Sequence, residues 1–224
     1  MHRNNVFRII LAAVVMFFSM TSAAYSQQIT MKVGAALGKI DSREIGGEIK
    51  RMLNVYWETN YGLRVGSYKF VTFGLAYLGA GGKFSDTYVP GVFDVSYHVR
   101  ARFNNVLTPI KFKVSTEHRK KPRLYGYVGA APGVMFRETR YMEFDDGHEY
   151  NKKQDEYLFN WTPRHFQNYL LAGIGVYYRH ILVEFSTYVS TFKDYKEFKS
   201  PIAFNSGLML SAGYQVSHDR AKRW

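Results

Sequence analysis

Six charged side chains, Lys32, Glu58, Arg64, Lys111, Lys113 and Glu184, fall where a chain that alternates every second residue turns them all to one side. Two carboxylates among four cations in a shared narrow interior must pair, because a buried charge without a partner is far costlier than a paired one. A lumen charge network is therefore expected. The segment Asp145-Asp146-Gly147-His148-Glu149 carries oxygen ligands suited to a divalent cation but lacks EF-hand spacing, so it reads as a solvated loop and no metal site is expected. Acyl chemistry needs a serine activated by a histidine base. His98 and His165 fall near outer loops and Ser96 and Ser190 are candidate nucleophiles, yet no local motif joins them. The chain reads as a non-enzyme, without catalytic residues and without a cofactor.

The elements that would position these residues are strands. From Leu53 to Val65, residues suited to apolar contact (Leu53, Val55, Trp57, Thr59, Tyr61, Leu63, Val65) alternate with Asn54, Tyr56, Glu58, Asn60, Gly62 and Arg64. A period of two places successive side chains on opposite faces. Thirteen residues is long for a soluble strand and suits a tilted bilayer crossing of about 9–11 residues with an aqueous extension. Lipid on one face and a polar lumen on the other account for the pattern.

Seven further strands can be placed. The first runs from about Ile29 to Gly38. The third runs through Val71 and Tyr77 before Gly79 to Gly82 loosen the pattern. The fourth is composite: Val95, Tyr97, Val99, Ala101 and Phe103 hold one phase, and Val106, Thr108, Ile110, Phe112 and Val114 hold the other. A bulge near Asn104-Asn105 would reconcile them, since a one-residue slip flips every side chain. The fifth, about Arg123 to Arg137, contains Pro132, which marks a bulge or rim. The sixth and seventh, Tyr169 to Tyr178 and Ile181 to Ser190, are separated only by Arg179-His180 and must form a hairpin. The eighth runs from Gly207 to Val216. The fold class expected is all-β: an eight-stranded, antiparallel, up-and-down transmembrane β-barrel.

Residues 1–26 read as a cleavable export signal, with Arg3 and Arg8, the apolar run Ile9 to Met20 and small residues ending Ala24-Tyr25-Ser26. Residues 27–224 form the barrel domain. Cysteine is absent, which excludes disulfides, thiol chemistry and a lipidated cysteine. The full chain carries +12; without Arg3 and Arg8, 28 basic residues face 18 acidic ones, or +10. In an exported chain this points to outer-membrane lipids, lipopolysaccharide phosphates or an acidic protein partner, and not to nucleic acid. With both termini in the periplasm, the short connections form a basic periplasmic rim of Arg119, Lys120, Lys121, Arg123, Arg179, Arg220, Lys222 and Arg223, together with Lys69. The third outer loop, Glu138 to Gln167, sums to −3.

Three stretches resemble the PorT-like outer-membrane β-barrel proteins of Bacteroidetes, relatives of the OmpA-type barrel. They are Asn105-Val-Leu-Thr-Pro-Ile-Lys-Phe-Lys113, Leu124-Tyr-Gly-Tyr-Val-Gly-Ala-Ala-Pro-Gly133, and Leu170-Leu-Ala-Gly-Ile-Gly-Val-Tyr-Tyr178 with Leu182-Val-Glu-Phe185. The resemblance implies an outer-membrane location in a Gram-negative cell envelope and says little about activity. The expected role is structural or interactive, as an accessory subunit of a larger envelope or secretion assembly. The alternatives are a narrow ligand- or ion-handling barrel and a lipid A-modifying enzyme.

Overall fold

The computed structural model describes residues 26–41, 49–86, 97–116, 122–144, 149–150, 165–191 and 204–219. Ten strand segments follow one another: β1 (Ser26–Asp41), β2 (Ile49–Arg64), β3 (Lys69–Asp86), β4 (Tyr97–Leu107), β5 (Ile110–Ser115), β6 (Arg123–Phe144), β7 (Glu149–Tyr150), β8 (Phe166–Tyr178), β9 (Ile181–Ser190) and β10 (Phe204–Asp219). Segments β4 and β5 are one wall interrupted at Thr108-Pro109, and β7 is a short extension beside β6. The remaining ladders are antiparallel neighbours in chain order, and β1 pairs with β10 from Ser26↔Asp219 to Asp41↔Phe204. The result is a closed eight-walled antiparallel barrel.

The alternation expected for the first, second, sixth, seventh and eighth strands is present. Met31, Val55, Ile174, Phe185 and Leu210 are exposed on the outer surface, while Lys32, Tyr56, Leu171, Glu184 and Ser211 are buried inside. The predicted hairpin is a two-residue turn in which Arg179 adopts a φ of 57°.

The fourth strand departs from expectation. Its buried residues keep one phase (Ala101, Phe103, Asn105, Leu107, Lys111 and Lys113) except for Asn104, an outward residue covered by Tyr77, and Arg100, Arg102, Val106, Ile110 and Phe112 are exposed. Ala101 and Phe103 therefore point inward. A register shift does occur at Asn104/Asn105, but the extra residue is Phe136 on β6, because Asn104 opposes Arg137 and Asn105 opposes Met135. The apparent change of phase has another cause. Towards this end the outward face of the wall carries Arg100 and Arg102 while the interior is filled mainly by apolar side chains, with a few uncharged amides such as Asn105 and Gln167 among them, so polarity inverts without a flip of the backbone.

Pro132 lies opposite the interruption at Thr108-Pro109, where its carbonyl accepts from the Thr108 backbone N (2.8 Å) and Oγ1 (3.0 Å). Strand β6 continues past Arg137 to Phe144. Glu138, Arg140 and Glu143 thus belong to a strand, and the third outer connection is shorter than expected.

Gly79 to Gly82 do not end the third strand. All four are buried, and the β2–β3 register slips between Arg51 and Tyr56. Here β3 bends inward and touches β1, which is not its ladder neighbour: a Cβ on Gly82 would lie 2.8 Å from the Ile40 nitrogen, and one on Gly38 2.6 Å from the Gly81 carbonyl. Gly81 has a φ of 127°, a conformation that side chains strongly disfavour. This pinch narrows the barrel at the end that carries the longer connections. Leu78, Ala80, Phe103, Leu107, Tyr169, Tyr188 and Met209 pack the space around it.

Candidate functional site

The half of the lumen nearer the termini is polar. Lys32 on β1 stands opposite Glu58 on β2, and Glu184 reaches them from β9. The Lys32 Nζ lies 3.0 Å from Glu58 Oε2 and 2.5 Å from Glu184 Oε1. Lys111 on β5 and Asn60 on β2 both donate to Glu58 Oε1. The hydroxyls of Tyr125 and Tyr127 each donate to Glu184 at 2.8 Å. Glu184 therefore has three donors, while Glu58 has two on Oε1 and faces the Lys32 ammonium across an ion pair at Oε2.

Lys113 is held differently. Its ammonium donates to Gln28 Oε1 at 3.2 Å and to the Tyr177 hydroxyl at 2.8 Å. It stands 4.9 Å from the centre of the Tyr177 ring, 5.2 Å from Tyr125 and 5.5 Å from Phe70. Three aromatic faces supply the negative potential that a carboxylate supplies elsewhere. Lys111 likewise lies 4.5 Å from the centre of the Tyr127 ring.

Five of the six predicted lumen residues thus meet. Arg64 does not. Its side chain is exposed and its guanidinium donates to the carbonyls of Gly66 (3.0 Å) and Ser67 (2.9 Å) in the following turn. The strand ends there, so a long side chain carries its charged head to water and to the turn carbonyls and not into the lumen.

The network's tyrosines were beyond sequence reasoning for a specific reason. The facing of the fifth strand is ambiguous around Pro132, and both Tyr125 and Tyr127 sit on that strand. Alternation along the sixth strand puts Tyr177 opposite in phase to Tyr178 and so on the inner face, but nothing in a single sequence says that it would stack on Tyr125, with ring centres 4.5 Å apart.

What remains unfilled among Thr30, Lys32, Asn60, Thr72, Lys111, Lys113, Tyr125, Tyr127, Tyr177 and Glu184 is about 20 Å³, room for about one water molecule. An eight-stranded barrel is just wide enough for its side chains to fill. This one is filled twice, by ions at one end and by apolar side chains and the glycine pinch at the other.

Of the basic rim, Arg123 opposes Tyr177 at the start of β6, and Arg179 lies over Tyr178, 5.7 Å from the ring centre. Arg119, Lys120, Lys121, Arg220, Lys222 and Arg223 lie outside the described residues, as do the proposed export signal up to residue 25, Asp145 to His148, and Ser96. Ser190 is buried on β9 and His165 is exposed beside β8. His98 does face a serine, but it is Ser85, with Oγ and Nδ1 2.7 Å apart on the exposed ends of β3 and β4.

No protein-family model matches the chain, and no curated protein sequence does. Among solved structures the barrel is similar to OprG of Pseudomonas aeruginosa (11% identity, 86% of this chain and 96% of that one, TM-score 0.44). It is also similar to Ail of Yersinia pestis (12% identity, 85% and 99%, TM-score 0.41) and to Neisserial surface protein A (12% identity, 84% and 96%, TM-score 0.39). The barrel rests on this chain's own hydrogen-bond ladders, and no functional property is transferred at these identities.

Proposed function

We propose that this chain is an integral outer-membrane barrel that seals its own lumen and serves the cell envelope as a structural or interaction element, an accessory subunit of a larger assembly. One observation carries the reading: an apolar belt on every wall of a closed ring whose interior is already filled. Met31, Val55, Leu75, Val128, Ile174 and Leu210 represent the belt on six different walls, all exposed on the outer surface. Hydrocarbon accepts such a surface, and a closed barrel satisfies its backbone without water. The short connections at one end and longer ones at the other suit a periplasmic and an external end.

Within this reading residues 1–26 are the removed export signal. The PorT-like resemblance lies in the end of β4 and in β5, β6, β8 and β9, which build much of the filled lumen. The filled interior argues against a conduit. Catalysis has no part in the reading, which rests on the belt and the filled lumen; the Ser85–His98 contact lies on the exposed ends of two paired strands.

Cell fractionation followed by purification in mild detergent tests the proposal. The protein is expected in the outer membrane, accompanied by a stoichiometric partner, with little conductance in planar bilayers. Recovery from the soluble periplasm would overturn the location, large steady conductance the sealed lumen, and a partner-free barrel the interaction role.

A further inference from the structure

The third outer loop is acidic, so the external end of the barrel is expected to repel anions. The strand ends beneath it carry the opposite charge. Because β4 keeps one phase, Arg100 and Arg102 face outward, beside exposed Arg137 on β6 and half-exposed Lys83 on β3. Lys83 stands directly opposite Arg100, and Lys50 on β2 stands opposite Lys83 in turn. Among the described residues no carboxylate lies within ion-pair distance of Lys83, Arg100, Arg102 or Arg137.

Like charges directly opposite on neighbouring strands destabilise a sheet unless something anionic bridges them. Their height identifies what would do so. On β4 the last outward aliphatic residue is Val106, level with Tyr77, whose ring lies 6.3 Å from that of Phe136. These two aromatics mark the upper edge of the belt. Successive outward residues are about 6.6 Å apart along a strand and about 5 Å apart along the axis of a tilted barrel. Arg137, level with Asn104, therefore stands about 5 Å above Val106, Arg102 about 10 Å, and the Lys83–Arg100 pair about 15 Å. Arg137 thus stands within the headgroup layer, about 5–8 Å thick, while Arg102 and the Lys83–Arg100 pair stand just above it, where only a lipid with a tall, anionic headgroup reaches.

We infer that the outer face of β3, β4 and β6 is a binding surface for a phosphorylated glycolipid of the outer leaflet, with its acyl chains against Tyr77, Val106 and Phe136 and its phosphates among Lys83, Arg100, Arg102 and Arg137. Guanidinium groups suit phosphate because they present paired donors in a plane. A free acidic polymer would satisfy the charges but not the aromatic edge below them. The inference rests on the outer-membrane reading above.

The test uses the full mature barrel in nanodiscs and, as probes, bis-phosphorylated lipid A, the same lipid A without phosphates, phosphatidylglycerol and heparin. Native mass spectrometry would count bound lipid, and titration would give affinity. Phosphorylated lipid A is expected to bind best and to weaken with salt. Lys83→Gln, Arg100→Gln and Arg102→Gln should each weaken it about fivefold, and the triple variant about a hundredfold. Arg179→Gln at the opposite end should change nothing. Since these side chains are exposed or, for Lys83, half-exposed, heat-modifiable migration on gels should confirm that each variant folds.

Equal binding of dephosphorylated lipid A, an unaffected triple variant, an equal loss in Arg179→Gln, or stronger binding of heparin would each overturn the inference. Fractionation of the same variants keeps the two proposals apart. A barrel in the outer membrane with indifferent lipid binding refutes only the surface, and a barrel absent from that membrane refutes the location.

Discussion

Lys32 and Glu58 stand directly opposite one another on β1 and β2, and their side chains meet at 3.0 Å in the barrel interior. The pair is the hinge of the lumen network. Lys32 also serves Glu184, and Glu58 also serves Lys111.

Removing an acid from this network should cost heat stability. Glu184→Gln removes one of the two carboxylates that face Lys32, leaves Glu58 to serve both Lys32 and Lys111, and turns two tyrosine hydroxyls towards a neutral amide, a loss of about 3–5 kcal/mol in a dry site. Arg64→Gln, at the rim, should stay within about 0.5 kcal/mol. Heat-modifiable gel migration measures both, and an unchanged transition in Glu184→Gln would remove its pairing role.

The lysines should not be equivalent. Lys111→Met leaves Glu58 short of a charged donor and should destabilise by about 3–5 kcal/mol. Lys113→Met keeps an unbranched side chain against Phe70, Tyr125 and Tyr177 while removing a buried cation that contacts no carboxylate among the described residues. It should be neutral or mildly stabilising. Equal losses in the two variants would show that aromatic contact does not set Lys113 apart.

The pinch depends on missing side chains. Gly81→Ala combines a positive φ with a Cβ 2.1 Å from the Ala101 carbonyl. It should cost at least about 1–3 kcal/mol in folding stability. Gly126→Ala is the control, since its added Cβ would meet nothing closer than 3.7 Å. Similar transitions for both variants in urea titrations would mean that β3 does not require its inward bend.

The outer face should read depth. Leu210 is exposed in the belt and its neighbour Ser211 is buried in the lumen. Leu210→Arg should cost about 2–4 kcal/mol near the bilayer midplane. Ser211→Ala should cost little, because the serine hydroxyl has no hydrogen-bond partner inside the barrel. Refolding into lipid vesicles compares the two, and equal effects would place the belt elsewhere.

The sequence by itself determined the walls within the hydrocarbon zone. In β1, β2, β8, β9 and β10 each outward residue answers to lipid and each inward one to a polar or crowded interior, so a period of two and a composition bias are enough to orient them. It also determined that Lys32, Glu58, Lys111, Lys113 and Glu184 would share one space, because their phases all point inward. The tertiary structure decided what lies beyond that zone. Above the belt, water replaces lipid outside and apolar packing replaces polar lumen inside, so Phe103 and Arg102 exchange the faces that their polarity had indicated. The end of a strand likewise released Arg64 to the rim. Which lysine meets which acid depends on bringing together Lys32 and Glu184, 152 residues apart, across a closed ring. The inward bend at Gly81 depends on contact with β1, a strand that is not its neighbour in the ladder. Contacts across a lumen leave no period in a chain, because they follow from closure and not from the alternation of one strand.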